Sequence, residues 1–228
     1  MRVFKLMSIA VLAVALTGCF EIKQTVNMNS NGSGSYDFSF SFGEMGAMLA
    51  AKAEAEGEKF SMKAMLDTAE GVPFTAKLDE LMAIDGLDNV RSYESEDGTE
   101  LHVAFDFEDM EALNAGANLM IEDTLYDGMP DLFVRKSRRE FAFNGYSDLQ
   151  AKMAEAMGED ADSSMQMMMM MFQDMAFITE VKFNGKVDEL NNEDVLMSSN
   201  RKGVVLRYRP FNSADMEMET AFKVKLED

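Results

Sequence analysis

Tyr36, Phe38, Phe40 and Phe42 alternate with Ser35, Asp37, Ser39 and Ser41, so an extended backbone here carries an aromatic face and a small polar face. A helix, with about 3.6 residues per turn, would scatter the same rings around its axis. A chain with such a strand must bury one side of a sheet and leave the other wet. Just upstream, Asn29-Ser30-Asn31-Gly32-Ser33-Gly34 is dense in residues that tolerate positive φ or bond their own backbone. It joins the aromatic strand to Glu21-Ile22-Lys23-Gln24-Thr25-Val26 as a hairpin. The same grammar returns further on, with Asn89 to Tyr93 as strand, Glu94 to Gly98 as turn, and Leu101, Val103, Phe105 and Phe107 alternating with His102, Ala104 and Asp106. Each second strand runs into a helix start, at Phe42-Gly43-Glu44-Met45 and at Phe107-Glu108-Asp109-Met110, with acids where the helix dipole favours them. The pattern predicts a hairpin-plus-helix unit near 20–70 and again near 88–122, with a fainter echo at Arg139 to Phe143 followed by Asp148 to Met157.

Helices are expected over Glu44 to Thr68 with a break near Gly57, Phe74 to Met82, Asp109 to Ile121, and Asp148 to Met175 with a break near Gly158. Beyond Met175 the pattern reverts to strands: Phe177 to Phe183, Val187 to Leu190, Val195 to Ser198, Val204 to Arg209 and Asp215 to Leu226, read as a meander with Asn184-Gly185 and Lys202-Gly203 in its turns. One-sided strands with helices between hairpins predict an α+β fold, an antiparallel sheet of hairpins and a C-terminal meander covered on one face by helices. A 228-residue chain that is 47% hydrophobic can bury a core of this kind.

Charge then removes one class of function. With 41 acidic against 21 basic side chains the net charge is −20, and nucleic-acid binding requires the opposite sign to neutralise phosphates.

The N-terminus carries a sorting signal. Arg2 and Lys5 provide a basic start, Leu6 to Leu16 is almost uninterrupted apolar sequence, and Leu16-Thr17-Gly18-Cys19 closes it. The apolar run is about half of the ~20 residues a bilayer-crossing helix needs. Leu16-Thr17-Gly18-Cys19 resembles the lipobox of bacterial lipoproteins. That resemblance implies cleavage after Gly18, a diacylglyceryl group on the Cys19 sulfur and an acylated new N-terminus, so that 1–18 is a signal peptide and 19–228 the mature body. Thiolate nucleophilicity explains why the position is Cys, and Cys19, as the lone cysteine, has no partner for an internal disulfide. The membrane is therefore an expected partner through lipidated Cys19, with palmitate among the expected acyl chains. Phe20 stands where Asp would retain such a protein in the inner membrane, which implies the outer membrane facing the periplasm in a host with two membranes. The acidic body is expected to stand off anionic headgroups.

The run Val181-Lys182-Phe183-Asn184-Gly185-Lys186-Val187, the strand to Met197, Gly203-Val204-Val205-Leu206-Arg207-Tyr208 and the polar Asn212-Ser213-Ala214 resemble mycobacterial LppM-like envelope lipoproteins. The likeness spans 20–45 and 177–226; it implies an α/β build and an association with lipid or glycolipid, and carries over no functional residue besides Cys19.

Catalytic chemistry has little to work with. There is one histidine, and Gly-x-Ser-x-Gly, Walker and dinucleotide-binding patterns are missing. His102 with Asp106 four residues on, along the same face of the strand, forms a base-and-orienter pair without an identifiable nucleophile. The chain is read as non-enzymatic and without a cofactor: a binding or structural module, or alternatively a carrier of lipid or another hydrophobic ligand. Asn27-x-Asn29-x-Asn31-Gly32 starts like a calcium loop but has Phe38 where the bidentate Glu belongs. Met165 and Met167, Met168, Met169, Met170 and Met171 are the thioether set a Cu(I) site would draw on. Five consecutive helical residues wrap about 1.4 turns, so that run cannot share one face, and the 23 methionines serve elsewhere as ordinary core residues. Arg135, Lys136, Arg138 and Arg139 form a basic cluster suited to strand-edge protection or to an anionic headgroup or acidic partner.

Overall fold

The first hairpin forms where the alternation places it. Strand β1 (Glu21–Met28) pairs antiparallel with β2 (Gly34–Ser41), with Val26 opposite Tyr36 and Gln24 opposite Phe38. Gly32 closes the turn at φ +100°, a conformation that favours glycine, and Asn29 N–H donates to the Ser33 carbonyl at 2.8 Å. The computed structural model describes residues 20–68, 74–121, 131–146, 172–215 and 217–227. After β2 the chain forms α1 (Gly43–Ala55), breaks at Gly57 (φ +78°) and continues through α2 (Met62–Thr68) and α3 (Phe74–Met82). The second hairpin, β3 (Leu87–Glu94) and β4 (Glu100–Phe107), leads into α4 (Met110–Ile121), whose first turn is capped by the Asp109 carboxylate accepting from Ala112 N–H at 3.0 Å. The remaining strands are β5 (Phe133–Arg135), β6 (Glu140–Phe143), β7 (Ala176–Phe183), β8 (Val187–Leu190), β9 (Leu196–Met197), β10 (Gly203–Tyr208) and β11 (Phe222–Leu226).

The α+β class is as the sequence predicts, and the sheet arrangement is richer. A seven-stranded sheet runs β3-β4-β2-β1-β7-β10-β9, and a four-stranded one runs β5-β6-β11-β8. Within the large sheet β1 and β7 pair in parallel, Ile22 beside Phe177 and Val26 beside Val181. The C-terminal strands are therefore no single meander: β7, β9 and β10 extend the large sheet while β8 and β11 join the small one. The last strand is also shorter than its alternation suggests. The chain before it is looped back by Arg209, whose backbone N–H and guanidinium bond the Asp215 carboxylate at 2.8–3.1 Å. Asp215 is held below the ordinary carboxylate range by that guanidinium, against a partial desolvation.

One face of the large sheet is largely apolar from β4 across to β10. Val26, Tyr36, Val103, Phe105, Phe107, Val181, Val204 and Leu206 are all buried on it. Helices α3 and α4 cover the β2–β4 side through Leu81, Leu113, Ala117 and Met120, and the small sheet covers the other side through Phe133, Phe141, Phe143, Phe222 and Val224. Gly116 lets α4 come close: a Cβ there would lie 2.6 Å from the Phe105 ring. Asn114 then fastens β5 to α4, its amide donating to the Phe133 carbonyl (2.8 Å) and accepting from the Phe133 N–H (2.9 Å).

Inside this apolar interior lies one polar knot. Gln24 is 2% exposed. Its amide donates to Tyr146 Oη at 2.5 Å and Thr179 Oγ1 at 2.9 Å, and its carbonyl accepts from Tyr36 Oη at 3.1 Å. Burial pushes the Tyr36 phenol well above its ordinary pKa, and that of Tyr146 rises for the same reason against the pull of its hydrogen bonds to Thr179 and Gln24. Tyr146 follows β6, and its N–H is held by Thr220 Oγ1 at 2.7 Å, so the knot ties the small-sheet chain to β1 and β7. Tyr146 and Thr179 keep their mutual 2.8 Å bond when Gln24 is replaced, so the Tyr36 hydroxyl alone loses its partner, and Gln24→Leu is expected to lower stability by about 1–3 kcal/mol although it adds apolar surface. Urea denaturation checks this; an equal or raised midpoint would show that the knot contributes nothing.

Candidate functional site

Three surfaces bear on function. The first is the start of the fold. Phe20 accepts the Ala176 N–H at 2.8 Å through its carbonyl. Its ring packs at 4.7 Å edge-on to Phe42, 5.3 Å from Phe40 and 5.8 Å from Phe172. Phe42, Met62 and Leu101 are buried beneath, with Met45 and Phe60 at the margin. The sequence treats Phe20 only as a sorting residue; its structural partners come from β2 and from the far end of the chain, so spacing gives no sign of them. Gly18 and Cys19 lie outside the described residues, as do Met165 and Met167 to Met171. Among the described residues no helix is long and apolar enough to cross a membrane.

The second surface is the outer face of the large sheet around His102. Tyr93 of β3, His102 of β4 and Ser39 of β2 sit side by side in register. The Tyr93 ring stacks on the imidazole at 4.5 Å between centroids and 7° between planes. His102 Nδ1 lies 2.9 Å from Asp37 Oδ1, and Nε2 lies 3.4 Å from Glu100 Oε2. Tyr93 Oη donates to the other Asp37 oxygen at 2.6 Å. The expected partner Asp106 is elsewhere, accepting from Asn89 Nδ2 at 2.7 Å, where Asn89 adopts φ 53° at the irregularity in β3. The reason is geometric: residues four apart on one strand lie about 13 Å from each other, whereas a residue on the adjoining strand can meet the ring. Partial burial, the hydrogen bond to Asp37 and the charge of Asp37 together push the Tyr93 phenol up to about 12. With both imidazole nitrogens facing carboxylates, this cluster orients an aromatic surface and offers no free base to a nucleophile. Tyr93 nonetheless remains 44% exposed.

The third surface holds the basic cluster, at the opposite end of β1 from Phe20. Arg135 is committed to structure: its guanidinium donates to the Ser30 and Asn31 carbonyls at 2.5 and 3.1 Å, clamping the β1–β2 turn. Lys136 and Arg138 are exposed. The asparagines that mimic a calcium loop satisfy the turn itself, Asn27 and Asn29 donating to Ser35 and Ser33 and Asn31 accepting from Ser33. Among the described residues no three His, Cys, Asp or Glu side chains converge as a metal site.

A carrier of hydrophobic ligands needs an apolar cavity. Between the described parts of the two sheets the space is filled by rings, Phe143 lying 5.2 Å from Tyr146 and 5.4 Å from Phe222. A shallow groove of about 550 Å³ at the small sheet is mixed in character, with Phe141, Leu190 and Val224 among its lining and Lys136, Glu140, Glu189, Lys223 and Lys225 at its rim.

No family model matches the chain, and no curated protein matches it. Among solved structures, the NMR structure of the folded domain of LppM from Mycobacterium tuberculosis aligns over 93% of each chain, with 12% identity and a TM-score of 0.42.

The Tyr93 site yields a direct test. Asp37→Asn removes the accepting charge, so the Tyr93 phenol, followed through its 13Cζ chemical shift, should titrate lower than the value of about 12 in the unaltered chain. An unchanged titration would mean that Asp37 does not govern the ring.

Proposed function

We propose that this chain is a lipid-anchored protein of the bacterial cell envelope, acylated on Cys19 after cleavage at Gly18, whose α+β body acts as a binding or structural module and not as a catalyst. The observation that carries the reading is the position of Phe20. The residue next to the lipobox cysteine is already packed into the fold and hydrogen-bonded to Ala176, so the sheet begins where the signal ends. Two or three acyl chains, at about 0.8 kcal/mol per buried methylene, hold such a body firmly where one would not. The outer membrane, facing the periplasm, is the location that Phe20 favours. The engaged imidazole of His102 supports a binding role: the exposed Tyr93 ring, braced by His102 and Asp37, is a rigid aromatic contact on the wet side of the sheet.

Cys19→Ala is expected to move the protein from the membrane pellet to the soluble fraction and to abolish incorporation of labelled palmitate, while globomycin should leave the signal peptide uncleaved. Retention of the variant in the membrane together with unaltered labelling would sink the proposal.

A further inference from the structure

We propose that α1 is a bilayer-contacting helix: the apolar stripe Met45, Met48 and Leu49, continued by Lys52, rests in the interface of the leaflet that holds the acyl chains of Cys19. This deepens the anchoring reading and rests on it.

The helix is out of keeping with its neighbours. In α4, Ala112, Leu113, Ala117 and Met120 are buried, whereas in α1 Gly46 alone is buried, although the sequence Gly-Glu-Met-Gly-Ala-Met-Leu-Ala-Ala-Lys-Ala-Glu-Ala is mostly apolar. Met48 is 52% and Leu49 36% exposed. Met45, Met48, Leu49 and Lys52 follow i, i+3, i+4, i+7 spacing and so share one stripe. Glu44 flanks this stripe beside Met48 and Glu54 lies on the opposite side of the helix, while Lys52 at its end can lie along the apolar surface with its ammonium at headgroup level.

What identifies the occupant is the start of the chain. Helix α1 begins at Gly43, directly after Phe42, whose ring lies 4.7 Å from that of Phe20. Phe20 is bonded to Cys19, so the acyl chains leave the body beside the first turn of α1. Because Phe20 is fixed by its carbonyl and its ring, little slack separates the body from the lipid. A helix lying in the interface sinks about 5–10 Å into the headgroup and acyl boundary, the depth these side chains can reach. The consequence departs from the stand-off that net charge alone predicts: the body sits on the membrane through α1, with the basic cluster at Arg135 to Arg139 turned away.

The chain contains no Trp, so a single introduced indole reports without background. The full chain carrying Leu49→Trp, processed in cells and reconstituted into phosphatidylcholine vesicles, should emit at shorter wavelength and be quenched most by lipids brominated near the top of the acyl chain. Leu196→Trp, at an exposed leucine on β9, should stay unquenched. Met48→Trp repeats the reading should Leu49→Trp misfold. Mass spectrometry of the same sample separates the two claims. Acylated Cys19 with both helix indoles unquenched keeps the anchor and overturns the docking. A chain with an unmodified Cys19 overturns the anchor, and the docking with it.

Discussion

The pairing of β1 with two neighbours at once governs the rest of the architecture. Eight consecutive residues from Glu21 to Met28 are registered antiparallel against β2 on one side and parallel against β7 on the other. A one-residue slip on either side would turn Val26, Met28 and Gln24 out to solvent and bring Lys23 and Asn27 into the core. The Gln24 knot removes that freedom, because its amide meets Thr179, Tyr146 and Tyr36 only in the observed register. An apolar residue at position 24 would fit several alignments; the amide fits one.

The same strand links structure to function. At its first residue it meets the segment where the lipid is proposed to attach, and at its last it reaches the turn that Arg135 clamps. The molecule is therefore polar in the geometric sense, with an apolar, aromatic end at Phe20 and a cationic end at the β5–β6 turn. Its two broad faces differ as sharply: one is buried under α3, α4 and the small sheet, and the other presents the Tyr93, His102 and Asp37 cluster to solvent.

Local patterning made a good part of the fold legible. Both hairpins follow from alternation and turn composition, α3 spans Phe74–Met82 as its periodicity indicates, and Asp109 marks the start of α4. What stayed hidden depends on contacts between distant segments. Parallel pairing of β1 with β7 leaves no local signature, and the division of the C-terminal strands between two sheets turns on which apolar face each short strand finds. Asp215 to Ala221 alternates like a strand, yet the ion pair with Arg209 closes a loop there instead. At the candidate site, sequence proximity pointed to Asp106 as the partner of His102, whereas the sheet supplies Asp37 from a neighbouring strand and stacks Tyr93 from another. The role of Phe20 was hidden for the same reason.

The parallel junction also sets the order in which the fold can be completed. Gln24 and Thr179 are 155 residues apart, and pairings of such high contact order close late and slowly. Until β7 arrives, one edge of β1 presents a row of unsatisfied N–H and C=O groups that any extended segment, of this or another copy, could adopt as a template. If the chain is exported and acylated at Cys19 as proposed, it meets this hazard crowded two-dimensionally beside its siblings. In that setting the net charge of −20 would set half-built copies against one another, mutual repulsion opposing their pairing before the proper strand docks.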